Sequence, residues 1–234
     1  MRRVGHKGAD LLAPGNTIAS FDAALAAGVD MIEFDVLPQR PDDLDAPLVL
    51  AHDFEDAATR LPQTLAEGLD HLSSDAFAGI ELDVDLKLPG YELEVVDALR
   101  EHCLLRRAIV TSQYRESLAL IRRAAPNLRL GWSVPRLRRD PFRNRLLRPA
   151  ALAATLYGQA VMPGRAAAAL RAGACDALMA HWRLVTPRLV RQVAAAGGEL
   201  YVWTVDEPPL LRSMHALGVS GVITNDPRLF SAVA

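Results

Sequence analysis

The sequence predicts an α/β protein, a single (β/α)8 TIM barrel that occupies residues 1–234 as one domain. Two observations support this prediction. Eight short runs of strand-forming residues alternate with Ala-, Leu- and Arg-rich stretches of helical period, and no linker of different composition separates two halves. The length agrees, since 234 residues give eight units of about 29 residues, close to a minimal strand–helix pair.

The strand candidates are bounded by glycine, proline and polar residues, as expected of short buried strands. They are residues 3–5, 31–37, 80–87, 108–112, 128–134, 177–181, 200–205 and 221–224. The stretches between them carry helix signals. Asn16 and Thr17 form a polar N-cap and Gly28 ends the first helix, while Thr186 followed by Pro187 begins a later one.

Two stretches depart from this alternation. The segment from Pro38 to His52 is predicted to be a hairpin added to the second strand, with a polar loop and an extra strand at Pro47–Ala51. The segment from Arg136 to Arg148 holds six arginines against Asp140. We interpret it as a solvated loop and helix face, with a patch that contacts lipid or polyanions as the alternative.

Composition excludes several functional classes. With 26 Lys and Arg against 28 Asp and Glu, the net charge of −2 gives no field that would attract nucleic acid. Cys103 and Cys175 lack the spacing of a metal site, and we expect free thiols in a reducing compartment. The basic N-terminus is followed by no apolar stretch, and no run is long enough to span a bilayer. We therefore expect a cytoplasmic protein.

Three acidic side chains are predicted to meet at the barrel mouth. Glu33 and Asp35 are two residues apart in one strand and so share a face, and Asp85 lies in the next barrel strand. Unpaired carboxylates repel by about 4 kcal/mol at ~4 Å and an effective dielectric near 20. Either each acid pairs with an arginine or caps a helix, or together they bind a cation. Since all the donors are oxygens, the ion would be Mg²⁺ or Ca²⁺.

Two histidines follow predicted strands at the same end of the barrel. His6 comes after the first strand and His52 after the extra strand of the hairpin. Imidazole titrates near neutrality, which suits an acid and base pair, whereas either histidine alone is more typical of a structural residue. Asp53 either orients His52 or ends the hairpin.

Motifs in order along the chain resemble those of glycerophosphodiester phosphodiesterases, whose signature runs HRG, PENT, F..A...G.D.IE.DV and HD. The matching segments are His6-Lys7-Gly8, Pro14-Gly15-Asn16-Thr17, Phe21 and Ala24, residues 28–36, His52-Asp53, Asp85-Leu86-Lys87, residues 202–206 and residues 218–227. The resemblance therefore extends over nearly the whole chain.

This resemblance implies a barrel enzyme that cleaves glycerophosphodiesters into an alcohol and sn-glycerol 3-phosphate, using a divalent cation and two histidines. It assigns the metal ligands to Glu33, Asp35 and Asp85 and the acid and base to His6 and His52. Lys7 and Lys87 would face the phosphate, and Trp203 would be a pocket aromatic. His181, at the end of the sixth predicted barrel strand, is a further candidate for the pocket wall, with a structural role as the alternative.

Three positions depart from the family pattern. Lys7 stands in place of an arginine and loses its bidentate grip on phosphate, Gly15 replaces a glutamate, and Asp85 stands where glutamate is usual. The Asp85-x-Lys87 pair also resembles the related sphingomyelinase D branch. A lysophospholipase D acting on lysophospholipids and a noncatalytic phosphodiester-binding protein are therefore alternatives. The leaving alcohol, the nucleophile and the oligomeric state do not follow from the sequence.

Overall fold

A computed structural model of the chain describes residues 1–41, 43–136, 144–145 and 147–232. These residues form nine strands and eight α-helices. The strands are β1 (Arg2–Gly5), β2 (Met31–Arg40), β3 (Asp43–Leu50), β4 (Glu81–Leu86), β5 (Ala108–Ser112), β6 (Arg129–Val134), β7 (Ala177–His181), β8 (Glu199–Trp203) and β9 (Gly221–Thr224). The helices are α1 (Ile18–Ala26), α2 (Phe54–Thr59), α3 (Leu65–Leu72), α4 (Glu92–Glu101), α5 (Arg115–Ala124), α6 (Arg148–Arg171), α7 (Pro187–Ala195) and α8 (Pro208–Leu217).

Eight parallel strands close into a barrel. Their order is β1, β9, β8, β7, β6, β5, β4 and β2, and β2 pairs back onto β1. Helices connect most of the neighbouring strands and cover the outside of the barrel. The predicted (β/α)8 barrel is therefore confirmed. Because all eight strands are parallel, their carboxyl ends meet at one mouth.

The hairpin on β2 is present, but it is longer than the sequence indicated. The segment from Pro38 was expected to be a loop, whereas β2 continues to Arg40 and β3 pairs with it in antiparallel register. Pro38 lies opposite Leu48 in this ladder. A proline is tolerated here because the segment lies beyond the barrel, where β2 has a partner on one side only.

Helix capping follows the predicted signals with one correction. Thr17 caps α1 and forms a capping box with Ser20, and the Thr186 side chain accepts from the Leu189 N–H at the start of α7. Asn16, predicted to share the cap, has a left-handed φ of 58° and points elsewhere. Gly218 ends α8 at a φ of 77°, a backbone geometry that glycine adopts without strain.

The two faces of each strand have different partners. On β2, Ile32, Phe34 and Val36 pack outward with buried side chains of the covering helices, such as Phe21 and Leu69. Inside the barrel, an apolar layer closes the middle of the lumen, formed by Val4, Met31, Ile109, Ala177, Met179, Tyr201 and Ile223. This layer separates the polar groups at the two ends of the barrel.

Ion pairs fill the end of the barrel opposite the mouth. Arg129 on β6 lies 3.0 Å from Glu81 on β4 and 2.5 Å from Glu199 on β8, and Arg2 lies 2.9 Å from the other Glu81 oxygen. These carboxylates raise the pKa of Arg129 even though its partial burial acts in the opposite direction. The charges at this end are therefore balanced within the barrel wall.

The remaining sequence expectations have mixed outcomes. Cys103 and Cys175 are free, as expected. Among the described residues, no helix is long and apolar enough to cross a bilayer. Most of the arginine-rich segment, residues 137–143 and 146, lies outside the described part of the chain. Helix α2 was not predicted, because its six residues form less than two full turns.

Gly131 tests how tightly the lumen is packed. It faces inward from β6, where a Cβ would lie 2.5 Å from Thr111 Cγ2 and 3.3 Å from Met179. We expect Gly131→Ala to lower the free energy of unfolding by about 1–3 kcal/mol through overpacking. Gly164→Ala on α6, where nothing lies within 4 Å, is the matched control and should stabilise by about 0.5–1 kcal/mol. Equal values for both in chemical denaturation would contradict this account.

Candidate active site

Two neighbouring strands place four carboxyl groups at the mouth. In the parallel register, Glu33 on β2 lies beside Asp83 on β4, and Asp35 lies beside Asp85. All four are buried. Oxygen atoms of Glu33, Asp35 and Asp85 lie within 4.8 Å of one another. The three residues selected from the sequence are thus brought together, because alternate residues of adjacent strands face the lumen.

Lys87 lies within this acidic cluster. Its Nζ is 2.5 Å from Asp35 Oδ1 and 2.6 Å from Asp85 Oδ2. Burial acts to lower the pKa of the Lys87 ammonium, but the charges of Asp35 and Asp85 raise it well above its usual range. The lysine therefore stays charged and bridges β2 and β4 at the mouth.

One lysine does not balance the cluster. Burial, together with the charge of Asp35, raises the pKa of Glu33 well above its usual range. Burial and Asp85 also raise the pKa of Asp83 to about 8, although Thr111 donates a 2.8 Å hydrogen bond to its Oδ1. Asp35 is the exception, because the positive charges of Lys87 and the histidines outweigh burial and lower its pKa.

The cluster fits a hard divalent cation. Its donors are all carboxylate oxygens, and ligands at about 2.1–2.5 Å from one ion lie at most about 5 Å apart. The spread of 4.8 Å among Glu33, Asp35 and Asp85 meets this limit. These three residues could therefore hold Mg²⁺ or Ca²⁺. The ion would neutralise the negative charge of the cluster that Lys87 does not balance.

His6 follows β1 and is held by two neighbours. Its Nδ1 is 2.6 Å from Asn225 Oδ1, and its Nε2 is 3.8 Å from Glu33 Oε2. Burial lowers the pKa of His6, assisted by the charge of Lys7 and opposed by that of Asp35. Because the Asn225 oxygen can only accept, Nδ1 carries the proton and Nε2 is free to exchange one.

His52 lies at the rim of the mouth, directly after β3. Its side chain is half exposed, and its Nδ1 is 3.0 Å from Asp53 Oδ2. The other oxygen of Asp53 accepts from the Asp56 N–H at the start of α2. Asp53 therefore contacts His52 and begins the helix that follows the hairpin, and its role in orienting His52 stays a prediction.

Asn225 and Asp206 were not singled out by the sequence analysis as functional residues. The Asn225 amide Nδ2 and backbone N–H donate to Asp206 at 2.8 Å each, which leaves Oδ1 facing His6. Thr224 donates to the same carboxylate at 3.1 Å. Both residues lie in the C-terminal motifs, but only the fold brings position 225 beside His6.

Asn16 was also missed, because it resembles a helix cap. Its side chain donates to Asp35 Oδ2 at 2.9 Å, and its Oδ1 accepts from the Asp35 N–H at 3.0 Å. This two-way pairing fixes both the carboxylate and the backbone of Asp35. The left-handed φ of Asn16 is the local distortion that allows the pairing.

Asp10 fills the space above Gly15. Its Oδ1 accepts from the Gly15 N–H at 3.0 Å, and its Oδ2 is 3.4 Å from Lys7 Nζ. A Cβ at position 15 would lie 2.5 Å from Asp10 Oδ1 and 2.9 Å from Lys7 Cβ. The backbone N–H of Lys7 in turn donates to Glu33 at 2.8 Å. The glycine at position 15, where the family has glutamate, therefore leaves room for the Asp10 carboxylate. The sequence analysis did not identify Asp10.

A cavity of about 180 Å³ opens beside the acidic cluster. Its polar lining includes His6, Glu33, His52, Asp83, Asp85, Lys87, Thr111, Gln113, Ser133, Trp203 and Thr204. Within the described residues, the buried Nε1 of Trp203 has no hydrogen-bond acceptor.

Two predicted substrate-binding residues lie outside the cavity lining. Lys7 directs its ammonium to Asp10 and does not contribute to the wall. His181 packs its ring edge against Trp203 at 5.1 Å between centroids and accepts from the Arg183 N–H at 3.2 Å. These contacts of His181 are compatible with the structural alternative, and its role in substrate binding stays a prediction.

Fold and mouth together define a class of protein, a parallel barrel whose mouth carries a buried carboxylate cluster and two histidines that line one cavity. The glycerophosphoryl diester phosphodiesterase family model matches residues 6–60 and 88–229. The chain therefore belongs to this family of phosphoric diester hydrolases. Asp85 and Lys87 fall in the unmatched stretch, and their assignment depends on the geometry described above.

Relatives share this architecture along the whole chain. A glycerophosphodiester phosphodiesterase of Caldanaerobacter subterraneus is 26% identical, with 96% of this chain and 93% of the relative covered. A phosphodiesterase of Oleispira antarctica, solved in complex with the product sn-glycerol-3-phosphate, superposes with a TM-score of 0.71 at 19% identity, covering 100% and 96% of the two chains. A glycerophosphodiester phosphodiesterase of Parabacteroides distasonis gives a TM-score of 0.72 at 19% identity, covering 99% and 98%.

A double-mutant cycle can measure the steric coupling between Asp10 and Gly15. We expect Gly15→Ala to lower the free energy of unfolding by about 1–3 kcal/mol, since the new Cβ collides with Asp10 and Lys7. In the Asp10→Gly background the same change should cost less, because one of the two collisions is gone. Gly79→Ala, with nothing within 4 Å, is the control. Strict additivity of the two changes would rule out the coupling.

Proposed function

We propose that this protein hydrolyses glycerophosphodiesters to an alcohol and sn-glycerol 3-phosphate, with a divalent cation held by Glu33, Asp35 and Asp85. One observation carries the proposal. Glu33 and Asp85 of the oxygen cluster and the imidazoles of His6 and His52 border the same cavity at the carboxyl ends of the barrel strands. Membership of the family and the product held by the Oleispira antarctica relative support the same substrate class.

The bound cation would polarise a phosphoryl oxygen and offset the charge that develops on the phosphate. Lys87 contributes a second positive charge, because its ammonium lines the cavity while anchored to Asp35 and Asp85. An ammonium fixed by two carboxylates needs little reorganisation when the phosphate charge increases. Asn16 keeps Asp35 in place through its two hydrogen bonds.

The histidines divide the proton transfers. One imidazole takes a proton from the attacking water or neighbouring glycerol hydroxyl as its oxygen bonds to phosphorus, and the other gives a proton to the alkoxide as its bond to phosphorus breaks. If the glycerol hydroxyl attacks, water then opens the cyclic phosphate to give glycerol 3-phosphate. His6 is suited to either step through Nε2, because Asn225 holds Nδ1. His52 is half exposed at the rim and paired with Asp53, so it can exchange its proton with solvent between turnovers.

The size and polarity of the cavity favour a small phosphoglycerol group. Its volume of about 180 Å³ is below the roughly 300–1,000 Å³ typical of drug-sized ligands. Thr111, Gln113 and Ser133 supply hydroxyl and amide groups to the lining, and Trp203 forms part of the wall. We expect the phosphoglycerol end inside the cavity and the leaving alcohol toward the solvent.

Lysophospholipids are a second candidate substrate class. The exposed apolar side chains at the start of α6, among them Leu152 and Leu156, favour it, because barrel helices begin at the mouth end and an apolar surface there suits an acyl chain. Comparing turnover of glycerophosphocholine with that of lysophosphatidylcholine separates the two classes.

Hydrolysis and its cation dependence are the direct test. We expect the purified protein to release glycerol 3-phosphate from glycerophosphocholine, to lose this activity with a chelator, and to regain it with Mg²⁺ or Ca²⁺. His6→Ala and His52→Ala should each lower kcat by about 100-fold or more. His215→Ala, an exposed histidine on α8, is the control and should be neutral. Chelator-resistant turnover, or near-normal kcat in both mouth variants, would refute the proposal.

Asn225 is expected to act as a positioning residue for His6. Removing its side chain in Asn225→Ala frees the imidazole to rotate, so kcat should fall on the order of 10-fold with little change in KM. In a His6→Ala background the same change should have no further effect on kcat, because the ring it orients is absent. A full additional loss in that background would show that Asn225 acts by another route.

A further inference from the structure

Helix α6 is much longer than the other helices of the barrel. Its 24 residues span about 36 Å, whereas the others have 6 to 10 residues. Its second half packs on the barrel through buried residues such as Ala166, Ala169 and Leu170. Because barrel helices run antiparallel to the strands, the first half begins at the mouth end. Gln159 donates to the Arg183 carbonyl oxygen just after β7, so the turns before it extend past the rim.

The outer face of these first turns is apolar and uncovered. The exposed fractions are 49% for Leu147, 54% for Leu152, 57% for Leu156 and 63% for Tyr157. From residue 148 to residue 162 the only charged side chain is Arg148. A helix that lacks a polar face is normally buried against protein or lipid. The exposed apolar face at the start of α6 therefore indicates a binding partner.

The charges beside this face are all positive among the described residues 136, 144–145 and 147–148. Arg136, Arg145 and Arg148 are exposed there, and the sequence from 136 to 148 holds six arginines against one aspartate. An anionic phospholipid surface offers an apolar interior to the exposed leucines and negative charge to the arginines. A second copy of the chain suits the face less well, since a two-fold contact would bring the same arginines together.

Apolar side chains also lie across the mouth from α6. Leu11, 66% exposed, and Leu12 follow β1, which is opposite β6 in the closed barrel. Both loops leave the carboxyl ends of their strands, so both lie at the mouth end. A flat surface laid against that end would therefore meet apolar residues on both sides.

We propose that the mouth end of the barrel docks on anionic phospholipid membranes, with Leu152, Leu156 and Tyr157 of α6 among the headgroups and Arg145 and Arg148 against lipid phosphates. This surface is separate from the acidic cluster and does not require the proposed reaction. Docking would hold the cavity opening close to the bilayer, where phosphodiester headgroups and single-chain phospholipids are found.

The test is cosedimentation of the full chain with vesicles. We expect binding to vesicles of equal parts phosphatidylglycerol and phosphatidylcholine, and binding at least tenfold weaker to pure phosphatidylcholine. Leu152→Glu with Leu156→Glu should reduce partitioning onto the anionic vesicles by tenfold or more. Arg145→Gln and Arg148→Gln should each reduce it by about fivefold.

The matched control carries the same change of charge at the far end of the same helix. Ala168→Glu with Ala172→Glu alters two exposed alanines and should leave vesicle binding unchanged. Circular dichroism and hydrolysis of a soluble aryl phosphodiester confirm that each variant is folded, and failure of the proposed reaction would leave the binding readout intact.

Three results would overturn the proposal. The first is equal binding of the wild type and the Leu152→Glu/Leu156→Glu variant to anionic vesicles. The second is equal binding, or none, of the wild type to anionic and neutral vesicles. The third is a wild-type dimer in sedimentation velocity that this variant converts to monomer, because the face would then be covered by a second copy.

Discussion

The structure depends on the burial of like charges at one end of the barrel. Four carboxyl groups of β2 and β4 are held together by parallel pairing, and Lys87 lies between two of them at ion-pair distance. Isolated, such a cluster would oppose folding. The parallel register of the barrel strands keeps the acids in place, and their excess negative charge favours a cation at this end.

The residues around the acidic cluster have a common role. They hold both the backbone and the carboxylates of β2 in place. Asn16 bonds both the carboxylate and the N–H of Asp35, and Lys7 offers its backbone N–H to Glu33 from a left-handed conformation. Asp10 closes over Gly15 and reaches toward Lys7. The loop between β1 and α1 thus supports β2, and the glycine at position 15 leaves the room that Asp10 occupies.

Sequence reasoning identified what periodicity and residue type control. Glu33, Asp35 and Asp85 could be assigned to one face because strand geometry alternates strictly, and the eight strands could be counted from their composition. It failed where a contact joins distant segments. The partnership of Asn225 with His6 spans 219 positions, and Asn16 has the same local signature whether it caps a helix or binds a strand. The continuation of β2 beyond Leu37 was missed because Pro38 indicates a loop, and only β3 beside it makes an edge strand possible.

Because of the hairpin, the strands that precede the two histidines differ in how many neighbouring strands hold them. His6 leaves a strand with parallel neighbours on both sides, whereas the strand before His52 is hydrogen-bonded to β2 on one side and on the other only to the segment near Thr64. The ladder between β2 and β3 contains an irregularity between Pro38 and Arg40. A one-residue slip there would reverse the face of every side chain on β3 without opening the barrel. The hairpin is therefore the part of the fold where the position of the His52 imidazole can change while the acidic cluster and His6 stay unchanged.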